Sequence, residues 1–115
     1  MFPIWDHSII ILHRLFFAMN IVAKWKIEDY CLKYPNAREA LLAWYDHVKR
    51  AKYTKPEDVQ ADWGPDTTLP DKRAVFNIKG NQYRLVVRFN YVSQFAYIRW
   101  FGTHAEYNRI DVLKV

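Results

Sequence analysis

The sequence predicts an α+β domain, with N-terminal helices packed on one face of an antiparallel β-meander and a short helix at the C-terminal end. Three observations carry this. Apolar residues recur at steps of three and four as far as Trp63, then at steps of two from Ala74 onward. Turn signals at Gly80-Asn81 and near Ser93-Gln94 divide the second region into strands. Between the two regions, 64–71 holds one glycine and two prolines and reads as a loop.

The elements follow in order. Trp25, Ile27, Tyr30, Cys31 and Tyr34 predict a short helix over 24–34, which Pro35-Asn36 ends while starting another. In the second helix Ala37, Leu41, Trp44, Tyr45, Val48 and Ala51 line one face. Lys49, Arg50 and Lys52 load its last turn, where cations suit the helix dipole. Thr54 is placed to cap a third helix that has Pro56 in its first turn and Val59 and Trp63 facing inward.

Strands are predicted over 74–79, 83–92 and 95–101. A turn at Gly80-Asn81 sets Ile78 against Tyr83, Phe76 against Leu85 and Ala74 against Val87, all apolar. The other face then pairs Lys79 with Gln82, Asn77 with Arg84 and Arg73 with Arg88. A turn near Ser93-Gln94 adds Phe89 against Ile98 and Val87 against Trp100 to the apolar face. It sets Arg88 against Arg99 and Asn90 against Tyr97 on the polar one. Both hairpins agree on which face is buried, which supports the register.

At 115 residues the chain is one domain, large enough to build a core without staples. Its 51% apolar content and 20 aromatic residues (5 Trp, 8 Tyr, 7 Phe) exclude a disordered segment. The single cysteine, Cys31, excludes an internal disulfide framework and a cysteine-based zinc site. Three glycines leave no glycine-rich nucleotide loop. His7, His13, His47 and His104 lie on unrelated segments without metal-ligand spacing, so no metal or small-molecule cofactor is expected.

Residues 1–18 contain two apolar blocks, Ile9–Leu12 and Leu15–Ala18, split by His13 and Arg14. A membrane span needs about 18 consecutive apolar residues and a secretory signal needs a basic start. Neither pattern is met, and no membrane partner is expected. The segment is either a helix or strand packed on the domain, or an extension or start-site error ahead of a chain that begins at Met19.

The formal net charge of +5 is unevenly spread. Residues 19–71 carry eight basic and nine acidic groups, whereas 72–115 carry eight basic and two acidic ones. Arg73, Asn77, Lys79, Arg84, Arg88 and Arg99 fall on the open face of the predicted sheet, and no carboxylate lies between Arg73 and His104. Opposed like charges such as Arg88 and Arg99 destabilise a sheet, and a bound phosphate would offset that cost. Such a face either binds a polyanion, nucleic acid above all, or is a solubilising surface.

The last strand runs into Gly102-Thr103-His104-Ala105-Glu106-Tyr107, where Thr103 and Glu106 have capping-box spacing. His104 then starts a helix and Tyr107 shares its side. A helix start attracts phosphate and keeps an imidazole neutral. Alone, His104 reads more readily as a structural residue than as a proton carrier; at the end of a strand that also carries Arg99 the two readings stand even. RNA brings its own nucleophile, the 2′-hydroxyl, so cleavage needs in-line positioning, charge neutralisation and two proton transfers but no metal. The arginines, Arg84 and Arg99 first, and Lys79 suit neutralisation, while His104 and Tyr107 suit proton transfer. Arg73, Asn77 and Arg88 suit contact with the RNA, and Tyr97 and Phe101 suit base stacking.

Two segments, Val75–Val87 (VFNIKGNQYRLVV) and Tyr97–Tyr107 (YIRWFGTHAEY), resemble the HigB-type toxins of type II toxin–antitoxin systems. Tyr34-Pro35-Asn36-Ala37 and Ala43-Trp44-Tyr45 fit the helical first half, so the resemblance spans about 19–115. Chains of this family commonly begin near Met19. The resemblance implies a RelE-like fold and a cytoplasmic, ribosome-dependent mRNA interferase neutralised by a helix-turn-helix antitoxin. Members often carry Asp where this chain has Asn108, and relatives with this fold use different residues, so no catalytic set is carried over. The competing classes are a nucleic-acid-binding module that uses the same face without chemistry, and a structural subunit that pairs through its sheet edge.

Overall fold

The computed structural model describes residues 19–115. The expectation for 1–18 lies outside the described residues. The chain enters through a three-residue strand, β1 (Asn20–Val22), then forms helix α1 (Lys24–Lys33) and a 3₁₀ turn at Pro35–Ala37. Helices α2 (Arg38–Arg50) and α3 (Pro56–Trp63) follow. Strands β2 (Thr68–Leu69), β3 (Arg73–Ile78), β4 (Tyr83–Asn90) and β5 (Phe95–Thr103) lead into a single turn of helix, α4 (His104–Tyr107).

The fold class is the expected α+β, and β3, β4 and β5 form the expected meander. The sheet is larger than a meander, with order β1-β5-β4-β3-β2. β1 pairs in parallel with β5, Asn20 to Phe95 through Val22 to Tyr97, which makes the sheet mixed. A parallel neighbour needs a long connection, supplied here by the helical half together with β2, β3 and β4. Local periodicity could not reveal it, because three residues carry no period. β2 falls inside the expected 64–71 loop and pairs with Arg73 and Ala74. Thr54 does not cap α3; its amide and hydroxyl instead donate to Asp58, at 2.8 and 2.9 Å.

The helices cover one face of the sheet. Ile27 and Cys31 of α1, Leu41, Trp44 and Val48 of α2 and Val59 of α3 are buried. They meet Ala74, Phe76, Ile78, Leu85, Val87, Phe89, Ala96, Ile98 and Phe101. Trp44, 2% exposed, sits edge-on to Phe76 at 5.3 Å, and Trp63 meets the same ring at 5.1 Å. At the other end of the core Phe101 stacks on Tyr30 and Tyr83, with Tyr34 edge-on. Phe101 is therefore core, not a base-stacking surface. Cys31 is buried and free, and desolvation pushes its thiol up, as for an inert core cysteine.

The first hairpin has the expected register, Ile78 to Tyr83 through Arg73 to Arg88. Lys79 and Gly80 turn the chain with φ of 55° and 63°. The second hairpin departs from expectation. Arg88 faces Tyr97 and Val87 faces Ile98, but Val86 faces Trp100. Arg99 is thus the extra residue of a β-bulge. The two-residue difference near the turn keeps Ile98 in the core, and the bulge moves Trp100 to the opposite face. Arg88 and Arg99 are not opposed.

Trp44→Ala removes the largest side chain at the helix–sheet contact and should cost about 3–5 kcal/mol. Urea unfolding checks it; an unchanged midpoint would mean that α2 presents another face to the sheet.

Candidate functional site

Three segments distant in sequence meet at the end of β5. The capping box forms as expected: the Glu106 amide donates to the Thr103 hydroxyl at 3.1 Å, and the Thr103 amide donates to Glu106 Oε1 at 2.7 Å. Tyr34, at the end of α1, donates its hydroxyl to the same Oε1 at 3.2 Å. The His104 amide donates to the Gln82 carbonyl at 3.0 Å, which fastens α4 to the β3–β4 turn. The Thr103 amide, with help from the Thr103 and Tyr34 hydroxyls, holds the Glu106 carboxyl below its ordinary range.

The helix that His104 starts is four residues long, and the His104 and Glu106 amides already have acceptors. The anion-attracting helix start expected from sequence is therefore reduced to a fraction of a full helix's field. What α4 supplies is placement. His104 is exposed, and its Nδ1 lies 3.3 Å from the Asn108 side-chain nitrogen, leaving Nε2 toward solvent. Tyr107 is half-buried; burial pushes its hydroxyl up, with the Arg84 guanidinium opposing. At neutral pH this phenol holds its proton.

The cations of the open face separate into two groups. Arg73 is buried, 6% exposed, with its guanidinium donating to the Val115 main-chain oxygen at 2.7 Å. Arg88 stands opposite Arg73 as expected, and Asp71 lies between them, 3.2 Å from Arg88 and 3.9 Å from Arg73. The Arg88 hydrogen bond and charge hold Asp71 below the usual carboxylate range. Arg99 Nε also donates to the Val115 oxygen, at 3.2 Å. Asp71 and Val115 thus offset the crowding of like charge that the sequence reading assigned to a phosphate. Arg84 folds over the β3–β4 turn, donating to the Asn81 and Tyr83 carbonyls at 3.1 Å each, and has no carboxylate partner among the described residues.

Asn77 and Lys79 are exposed, but they border a 290 Å³ hollow with Ala40, Ala43, Trp44, His47 and Trp63 at the helix-side edge of β3. Lys79 precedes the β3–β4 turn, whereas Asn77 stands opposite Arg84 across the sheet. Tyr97 lies half-buried beside Phe95, 5.9 Å between ring centres. Arg84 lies close enough to Tyr107 to act on its hydroxyl, His104 starts the same helical turn, and Arg99 lies in β5 three residues before Gly102, the cross-strand partner of Arg84.

Trp100 is the residue the sequence reading placed on the wrong face. The bulge puts it on the open face, 6.1 Å from the Tyr107 ring. The signal was Gly102, two positions on: a glycine inside a strand often marks close approach. A Cβ there would stand 2.6 Å from the Trp100 indole. Among the described residues no group of three or more His, Cys, Asp or Glu side chains could hold a metal ion. No helix among them is long and apolar enough to cross a membrane.

A helix-covered mixed sheet with a basic open face and a histidine at its corner is an α+β architecture consistent with a RelE-like protein. Residues 37–110 match the sequence model of the HigB toxins, described as the RelE-like toxic component of a toxin–antitoxin system. The chain is 32% identical over 92 residues to the mRNA interferase toxin HigB of Escherichia coli strain K12, covering 78% of this chain and 88% of that one. It is 27% identical over 94 residues to the mRNA interferase HigB of Escherichia coli O6:H1, covering 80% and 91%. The chain belongs to the HigB toxin family.

Because Glu106 titrates below its ordinary pKa, its stabilising contribution is full above about pH 4.3 and is lost as pH falls through the lowered value. The urea midpoint of Glu106→Gln should lie below wild type at pH 7, and the gap should narrow as pH drops below about 4. A gap that does not narrow at all as pH falls through and below the ordinary glutamate range would show that charge on Glu106 does not matter to the corner.

Proposed function

We propose that the chain is an endoribonuclease that cleaves mRNA on the ribosome without a metal ion, blocks translation in the cytoplasm, and is neutralised by a helix-turn-helix antitoxin. The observation that carries this is the placement of His104 and Tyr107 on one pinned helical turn beside Arg84, which has no carboxylate partner among the described residues. Family membership, and the mRNA interferase names of the relatives, support the substrate class.

The chemistry uses the RNA's own nucleophile. The 2′-oxygen bonds to the adjacent phosphorus as its proton leaves, the P–O5′ bond breaks, and the 5′-oxygen takes up a proton. The products are a 2′,3′-cyclic phosphate and a free 5′-hydroxyl. Tyr107, protonated at neutral pH, suits donation to the 5′-oxygen. With the Asn108 side-chain nitrogen donating to Nδ1, the neutral His104 ring carries its proton on Nε2; acceptance from the 2′-hydroxyl at Nε2 requires the other tautomer, with the Asn108 amide turned so that its oxygen meets Nδ1–H. Arg84 lies where a guanidinium can meet the phosphorane's negative charge, and Arg99 extends the cationic track along β5. Arg73 and Arg88 set the shape of the face and its field rather than contacting the reacting phosphate.

The test is single-turnover cleavage of ribosome-bound mRNA with end mapping, with and without chelator and with and without ribosomes. The expected result is cleavage that survives chelation and requires the ribosome. His104→Gln should lose about 10²–10⁴-fold in rate with RNA binding retained. Arg84→Ala should lose about 10²–10³-fold. Wild-type protein that binds RNA without cutting it would be a nucleic-acid-binding module. Unchanged cleavage by His104→Gln would move proton transfer to other residues.

A further inference from the structure

The open face carries an aromatic surface that the proposed chemistry leaves unused. The bulge at Arg99 turns Trp100 away from the helices and sets it opposite Val86. Val86 is fully buried although it lies outside the helix-covered core, as expected if the neighbouring indole covers it. The indole then runs along β5 over Gly102. A Cβ on Gly102 would stand 2.6 and 2.7 Å from Trp100 Cη2 and Cζ2, and 2.8 Å from Glu106 Oε1. The missing side chain is what lets the ring approach the strand at Gly102.

The surroundings of this ring suit a nucleotide. Tyr107 flanks it at 6.1 Å, tilted by 53°. Arg84 is paired with Gly102 across the sheet, and Arg99 precedes Trp100. Trp100 is half-buried, and no hydrogen bond engages its indole N–H among the described residues. Trp44 also lacks an acceptor for its indole N–H but is enclosed in the core, and Trp63 donates to the Tyr53 hydroxyl. An apolar ring set on a rigid strand, open on one side and bordered by guanidinium groups, has the make-up of a stacking platform for an unpaired base.

We infer that Trp100, seated on Gly102 and flanked by Tyr107, stacks one base of single-stranded RNA next to the phosphate that Arg84 and His104 address. The inference rests on reading the open face as the RNA site, and it adds a base-contacting residue to that site. Stacking reads a π-face rather than a hydrogen-bond pattern. Trp100 therefore contributes affinity and register, with only a modest preference for the larger purines.

The probes are a short 2′-O-methyl oligoribonucleotide, which cannot be cleaved by its own 2′-oxygen, and the same backbone without bases. The wild-type chain should bind the first more tightly by about 5- to 150-fold. Trp100→Ala should lose that preference and bind the abasic backbone as wild type does, while Trp100→Phe should keep part of it. Thermal melting checks that each variant is folded, and the Phe variant retains a ring in the same seat. Trp100→Ala with the full preference, or wild-type protein that binds the two probes equally or binds neither, overturns the inference. Cleavage is scored separately. A base preference lost in Trp100→Ala but no mRNA cutting by wild type leaves the platform standing and removes the catalytic reading. Cutting without any base preference does the reverse.

Discussion

The contact between the apolar stripe of α2 and the inner face of the sheet governs the rest of the molecule. Leu41, Trp44 and Val48 are buried against Phe76, Leu85 and Phe89, and this makes the sheet two-sided. A one-residue slip in any strand would turn core residues outward, so the buried face holds the register. The outer face inherits that order. Arg73, Arg88, Tyr97 and Trp100 are where they are because Ala74, Val87, Ala96 and Phe101 are fixed on the other side.

The bulge shows how local sequence bends this constraint. Around Arg99 the strand must bring Ile98 and Phe101 into the core, positions three apart that simple alternation cannot place on one face. One inserted residue reconciles them and sends Arg99 and Trp100 to the open side. The electrostatics follow the same economy. Arg73 and Arg88 stand opposite each other, yet Asp71 and the Val115 oxygen satisfy them from outside the meander. Arg84, beside Tyr107, has no carboxylate partner among the described residues.

This explains what could be read from the chain. The first hairpin was legible because its turn signal and its all-apolar pairs agree, and both depend on residues within about ten positions. The capping box at Thr103 and Glu106 was legible for the same reason. β1 was hidden because Asn20–Val22 gains meaning only beside β5, some 75 residues later. The second register was misread because alternation alone ignores a bulge; Ile98 and Phe101 both being large and apolar was the clue. The field expected at His104 was overstated because a capping box marks where a helix begins and not how long it runs. Within the candidate site, residue types were readable and neighbours were not. Lys79 and Arg84 are five positions apart, but the first borders α2 and α3 while the second reaches toward α4.

A one-turn helix has little stability of its own, since a nucleus of one or two hydrogen bonds does not repay the entropy of ordering it. α4 is ordered by its tethers: Gln82 from the first hairpin, Thr103 from β5, and Tyr34 from the end of α1. The Tyr34 ring is in turn held edge-on to Tyr83 and Phe101, so its hydroxyl reaches Glu106 only when α1 is packed on the sheet. The position of His104 is therefore a property of the assembled domain. The helical half, which contributes no candidate catalytic side chain, is physically required for the corner to exist, and a partner that pried α1 from the sheet would dismantle it without touching His104.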